Sequence, residues 1–179
     1  MRITISGPPG SGKTTVCKKL SSALSMRAAV FGQIFRDIAA ESGMTLLELG
    51  EFAERDRSID EMIDSRILQT ARENEDIILE SRLSAHMLTE HGIPAFCIYL
   101  DASPDVRIAR IGRRDNETME QALMATTERE ASEKKRYKMY YGIDISDTSV
   151  YDLIVDTDDI NPDQVVQTIL DALEATGCL

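Results

Sequence analysis

The chain has few of the features that would tie it to an oxidising compartment, a membrane or a nucleic acid. Its three cysteines, Cys17, Cys97 and Cys178, are an odd and scattered set with no C-x-x-C pair. That pattern argues against a disulfide framework or a structural zinc site and predicts reduced thiols that mainly pack. The two histidines, His86 and His91, are five apart and so do not share a helix face as a metal pair would. His91 precedes Gly92 and reads as a helix C-terminus, where partial positive charge is favourable. No apolar run approaches the roughly 20 residues of a membrane span, and the N-terminus lacks a charged-then-apolar secretion signal. The expectation is a cytoplasmic protein without a membrane partner. Positive charge is scarce: Lys and Arg total 20 against 31 Asp and Glu, a net charge of −11. Such a balance disfavours nucleic acid as a partner, and the acidic excess serves solubility. Internal repeats, low-complexity stretches and linkers are also missing, so one domain is expected over residues 1–179.

What the chain does have is alternation. Residues 2–6 (RITIS) form a β-rich run that stops at Gly-Pro, and Val16, Cys17, Leu20, Ala23 and Leu24 then recur at helical spacing. Further short apolar runs at 28–31, 77–80, 96–100 and 153–156 are separated by helical patterns. Five strands alternating with helices predict an α/β fold, a parallel sheet covered on both faces. Thr45 with Glu48 and Ser58 with Glu61 fit the capping box, while Ser103-Pro104 and Asn161-Pro162 place a cap before a first-turn proline. From about 117 to 140 the pattern is a long charged helix, read as one piece or two. A last helix carries Val165, Val166, Ile169, Leu170 and Leu173 and ends before Gly177. With these faces assigned to the sheet, no apolar stripe or heptad remains, and a monomer is expected.

Gly7-Pro8-Pro9-Gly10-Ser11-Gly12-Lys13-Thr14 satisfies G-x-x-x-x-G-K-[ST], after a strand and before a helix. Glycines let successive N–H groups turn inward as an anion nest, and the helix N-terminus adds its positive end. Lys13 is expected to reach the β- and γ-phosphates of a nucleoside triphosphate, and the Thr14 hydroxyl to ligate Mg²⁺.

The second substrate is suggested by arginine. There are 14 arginines to 6 lysines, and moving a phosphoryl group onto another phosphate brings two anions together. Arginine suits that task because its planar fork binds phosphate oxygens two at a time and stays charged. Arg36 lies in the helix after the second strand and Arg82 follows the third; Arg110, Arg113 and Arg114 end the helix after the fourth. Ligands of open α/β sheets bind beyond the C-terminal strand ends, which puts Arg82 near the loop. Arg129 and Arg136 come later, in a stretch that can also be read as a solvated helix laced by Glu130–Lys134 and Arg129–Glu133 pairs. Asp37, Asp56 and Glu80 are candidate bases, none in a motif that demands one. An ionised phosphate acceptor needs none, whereas an alcohol does.

In GPPGSGKTT, GQIFRDIAAESGM, ILESRL, RIARIGRRD through EREASEKKRYKMYYGIDI, and YDLIVDTDDINPDQVV the chain resembles the nucleoside monophosphate kinases, and among them the short archaeal-type cytidylate kinases. The discriminating piece is Arg129-Glu130-x-x-Glu133-x-x-Arg136, similar to the R-[DE]-x-x-[DE]-x-x-R run of that family. The resemblance implies a P-loop NTPase three-layer sandwich with a five-stranded parallel sheet in the order 2-3-1-4-5. It also implies an acceptor-binding segment at about 32–75 and a mobile lid at about 113–136. It implies transfer from ATP, with Mg²⁺, to CMP or dCMP, with ATP on residues Gly7 to Thr15 and on Arg110. Arg36 would hold the acceptor phosphate, Arg82 would reach the cytosine or its phosphate, Arg129 and Arg136 would close over the phosphates, and Glu133 would lie near the ribose. Lys13, Arg36, Arg110, Arg129 and Arg136 form the implied catalytic set, and no structural zinc is implied. The rival readings are AMP or UMP as acceptor and, in a different class, an ATP-dependent switch or assembly factor without an acceptor.

Overall fold

A computed structural model describes residues 1–178. In chain order it contains β1 (Arg2–Ser6), α1 (Lys13–Leu24), β2 (Arg27–Val30), α2 (Phe31–Glu41), α3 (Leu46–Ala53), α4 (Ser58–Glu73), β3 (Ile77–Glu80), α5 (Ser84–Glu90), β4 (Phe96–Asp101), α6 (Pro104–Asp115), α7 (Met119–Tyr141), β5 (Leu153–Asp156) and α8 (Pro162–Ala175). All strand pairings are parallel and the order is β2-β3-β1-β4-β5.

The two-residue alternation of side chains sorts the strands onto two cores. Ile3, Ile5, Ile78, Ile98 and Leu100 meet α1 and α8 through Val16, Leu20, Val165, Ile169 and Leu173. Ile77 and Leu79 project to the other face, where α4, α5 and the end of α7 cover them with Ile63, Ile67, Leu83, Leu88 and Tyr137. The register Ile3↔Ile78 and Ile5↔Ile98 sets the strands side by side, so their C-terminal ends open onto one edge of the sheet. β1, β3 and β4 end there at Ser6, Glu80 and Asp101.

Several boundaries differ from the sequence reading. Phe31, read as the end of a strand, is the first residue of α2 and is 4 % exposed. The chain thus passes from β2 into a helix with no loop between, which carries Arg36 to the strand ends. The capping boxes at Thr45–Glu48 and Asn161–Gln164 form, but the Ser58–Glu61 box does not. Arg57 is already helical, so Ser58 lies inside the first turn; its N–H is accepted by Asp56 Oδ1 at 2.9 Å, and Glu61 pairs with Arg57 at 2.6 Å. Ser103 occupies its cap position without a side-chain cap bond. The charged stretch is one unbroken helix, α7, started by a Thr118–Gln121 capping box. Its first turns expose Met119, Leu123 and Met124, an apolar patch left uncovered when the other helix faces go to the sheet.

Candidate active site

The phosphate loop is the turn from β1 into α1; packing dictates Gly7 and Gly10, and a left-handed backbone at φ +91° dictates Gly12. A Cβ on Gly7 would stand 2.1 Å from the Leu100 carbonyl oxygen, and one on Gly10, at φ +83°, would stand 2.6 Å from the Arg107 carbonyl oxygen. Lys13 Nζ donates back across the loop to the Pro8 carbonyl at 2.8 Å. Burial brings the Lys13 pKa down to about 7; Arg82 and Arg129 push the same way, while Glu80 and Glu133 oppose it.

Above the loop lies a cavity of about 520 Å³. Its walls bring together Pro9 to Thr15, Arg36, Arg82, Arg110 and Arg129, and add Arg114 and Glu80. At one side the lining turns apolar with Ile111, Ile160, Pro162 and Val165. Gly7 and Pro8 shape the loop from behind.

Each cation has its own setting. Arg36 donates a long hydrogen bond to Gln33 Oε1, at 3.5 Å, and forms no ion pair among the described residues. Burial lowers its pKa, helped by the nearby Arg114 and Arg129. Arg82 donates to the Gly7 carbonyl at 2.8 Å and to Glu133 Oε2 at 2.7 Å. Arg129 donates to Glu133 Oε1 at 2.8 Å. Glu133, 4 % exposed, therefore holds one guanidinium on each oxygen. Burial alone would raise its carboxyl, but the Coulombic pull of Arg82 and Arg129 wins and holds it at about 2. Arg110 donates to the Gly10 carbonyl at 3.3 Å and to Thr157 Oγ1 and O at 2.9 and 2.6 Å, joining the loop to the turn after β5.

Two expected residues lie elsewhere. Glu133 and Arg136 line a neighbouring cleft of about 10 Å³ beside Phe35, Leu46, Gly50 and Ser132. Arg136 is 2 % exposed, pairs with Asp60 Oδ2 at 3.2 Å and lies over the Phe35 ring at 5.3 Å, so it faces α2 and α4 instead of the phosphate cavity. The solvated-helix reading of this stretch holds only in part: its Arg129–Glu133 pair forms, at 2.8 Å, but the rest does not. Glu130 pairs with Arg107 at 2.8 Å, not with Lys134, and the buried residues of α7 include Ser132, Glu133, Arg136 and Tyr137.

The three candidate bases separate. Asp37 accepts from Gln33 on the exposed face of α2 and Asp56 caps Ser58. Glu80 ends β3, is 3 % exposed, and accepts from the Thr14 hydroxyl at 3.0 Å. Two hard oxygens beside a triphosphate cradle are a donor set suited to Mg²⁺, which takes few protein ligands and completes its shell with phosphates and water.

A profile of the cytidylate kinase-like family matches residues 2–159. The chain belongs to that family. A cytidylate kinase of Methanosphaerula palustris is 50 % identical over 159 residues, covering 88 % of this chain and 89 % of its own. Those of Sulfurisphaera tokodaii and Methanocaldococcus jannaschii are 44 % and 42 % identical, each covering more than nine-tenths of both chains: 94 % and 93 % for the first, 97 % and 98 % for the second. Among solved structures, shikimate kinase from Aquifex aeolicus superposes with a TM-score of 0.61 at 18 % identity over 99 % of this chain and 98 % of its own. An uncharacterised protein from Eubacterium ventriosum reaches 0.70 at 15 % over 97 % and 98 %. At that identity the likeness shows a shared fold and no more.

Within this family member, Arg107 is the functional candidate that sequence reading passed over. It sits one turn before Arg110 on α6, a spacing of three that puts both on one face toward the loop. Glu80 was visible as a strand-end acid, and the implied strand order put β3 beside β1, but the sequence did not show that its carboxylate meets the Thr14 hydroxyl.

Proposed function

We propose that this protein transfers the γ-phosphoryl group of ATP to CMP or dCMP, giving ADP and CDP or dCDP. The observation that carries the reading is the cavity itself. A phosphate loop with Lys13 shares one chamber with Arg36, Arg82, Arg110 and Arg129, and Arg36 forms no ion pair among the described residues, Glu80 and Asp115 acting on its charge only from beyond contact. The full-length similarity to cytidylate kinases supports cytidylate as the acceptor.

In this reading the loop N–H groups and Lys13 bind the β- and γ-phosphates. Arg36, Arg82 and Arg129 draw the acceptor phosphate in against its own repulsion. Arg110 lies along the donor, whose base takes the apolar side near Ile160 and Pro162. The acceptor oxygen is already ionised, so no base is required; the work is positioning and charge stabilisation. Thr14 and Glu80 would hold Mg²⁺, which when bound offsets charge on the transferring phosphates. Residues 1–179 act as one domain, with the segment at about 32–75 and the lid at about 113–136 closing on the acceptor. Such closure would bring Glu133 and Arg136 toward the ribose and phosphates and exclude water. A monomer is the proposed working form.

The deciding experiment is ADP release with Mg²⁺ and ATP alone, then with CMP, dCMP, UMP and AMP. Strong stimulation by CMP or dCMP with formation of the matching diphosphate is expected. Preference for AMP would leave the chemistry and remove the specificity, while no stimulation by any of the four would remove the acceptor site. Lys13→Met should lower kcat by orders of magnitude with little change in unfolding temperature.

A further inference from the structure

A loop that binds anions through its N–H groups must send its carbonyls the other way, and those carbonyls need donors. Here four successive ones are met by cationic side chains. The Gly7 carbonyl accepts from Arg82 at 2.8 Å, Pro8 from Lys13 at 2.8 Å, Pro9 from Arg107 at 3.1 Å and Gly10 from Arg110 at 3.3 Å. The Ser11 carbonyl lies 3.3 Å from Thr157 Oγ1, and that of Gly12 accepts from Val16 N–H at 3.1 Å within α1. The carbonyls of Gly7, Pro8, Pro9, Gly10 and Gly12 are thus each engaged, while the Thr157 hydroxyl is shared between Ser11 and the nearer Asp101 carbonyl.

Two of these cations are themselves held by α7. Glu133 fixes Arg82, and Glu130, three residues earlier and so on nearly the same face, fixes Arg107 through the same Nη1 that donates to Pro9. The Arg107 side chain is only 11 % exposed, and its backbone lies against the loop where a Gly10 Cβ would fall. Arg107 does not line the cavity.

We propose that Arg107 and Glu130 are positioning residues that orient the phosphate loop. Arg107 holds the Pro9 peptide plane with its carbonyl outward, and Glu130 keeps the guanidinium on that carbonyl. The loop's N–H groups are thereby set for phosphate before nucleotide arrives, and the loop is mechanically joined to α7, which also carries Arg129 and Glu133. The inference rests on the reading that the loop holds donor phosphates.

The test is equilibrium binding of ADP to wild-type protein and to Arg107→Met, Arg107→Lys and Glu130→Gln. A hydrogen bond from a charged donor supports a loss of about tenfold or more in ADP affinity for Arg107→Met. Arg107→Lys, which can still reach a carbonyl, should recover part of it. Glu130→Gln should weaken ADP less than Arg107→Met. Thermal unfolding without nucleotide separates an oriented loop from a merely stabilised fold: the affinity losses should appear in variants whose unfolding temperature stays within a few degrees. If Arg107→Met does not fold, Glu130→Gln carries the test, because its side chain is 30 % exposed and its loss leaves no large void. Wild-type affinity for ADP in Arg107→Met, or in Glu130→Gln where that variant alone folds, overturns the proposal. So does an affinity loss that Lys does not repair and that tracks unfolding temperature. Failure of the wild type to bind ADP would instead overturn the reading of the loop.

Discussion

Lys13 makes nucleotide binding a proton-linked reaction. In the free protein, burial brings its pKa to about 7 from an ordinary value of 10.5. A bound polyphosphate places several negative charges against Nζ and restores the ammonium. At pH 8 a group with a pKa of about 7 is roughly nine-tenths neutral, so binding should take up about 0.9 proton per nucleotide. Above pH 7, affinity should fall about tenfold per pH unit until the restored pKa is reached. The assay is calorimetric titration of ADP into the protein at pH 8 in two buffers of different ionisation enthalpy, where the difference in observed heat gives the proton count. Lys13→Met is the control and should remove the uptake. An uptake near zero at pH 8, or one that persists without Lys13, would refute the linkage. The same shift has a sign for stability. The native state binds fewer protons than the unfolded chain between about pH 7 and 10.5, so this group's penalty is complete below pH 7 and relaxes as pH rises.

Three other expectations follow from buried carboxylates. Burial raises Asp64 from 3.8 to about 7, so its contribution to stability is complete below about pH 3.8 and is lost as pH rises through 7; Asp64→Asn should raise the unfolding temperature at pH 8 and leave it unchanged at pH 4, and an equal change at both would contradict this. Glu133→Gln strips the counter-charge from Arg82 and Arg129 together and should cost about 3–5 kcal/mol in denaturant titration, with kcat falling as well; a loss under about 1 kcal/mol would mean the trio is solvated in solution. Glu80→Gln should raise the Mg²⁺ concentration for half-maximal activity several-fold while ADP affinity measured without metal is little changed, and an unaltered Mg²⁺ dependence would remove Glu80 from the metal site.

Much of this was legible beforehand where the signal is local. The Lys13 loop could be read because its glycines, lysine and threonine sit at fixed spacing between a strand and a helix. All five strands were read to within one residue at either end because a short apolar run bounded by turn residues or charges has few alternatives. Phe31 misled because a lone aromatic extends an apolar run whether it continues a strand or begins a helix. The Ser58 box failed because a capping residue must have extended backbone, and Arg57 had already turned helical.

By itself, then, the sequence determined the alternation of strands and helices, the phosphate loop and the presence of more arginines than a single triphosphate needs. Only the tertiary structure decided which polar groups meet across long stretches of sequence. Glu80 meets Thr14 across 66 positions of sequence, Arg82 meets Glu133 across 51, and Arg107 reaches Pro9 across 98. A charged side chain at a helix position looks the same on paper whether water or a buried partner neutralises it. The choice is made by which strands lie side by side and which helices they bring within about 3 Å of one another.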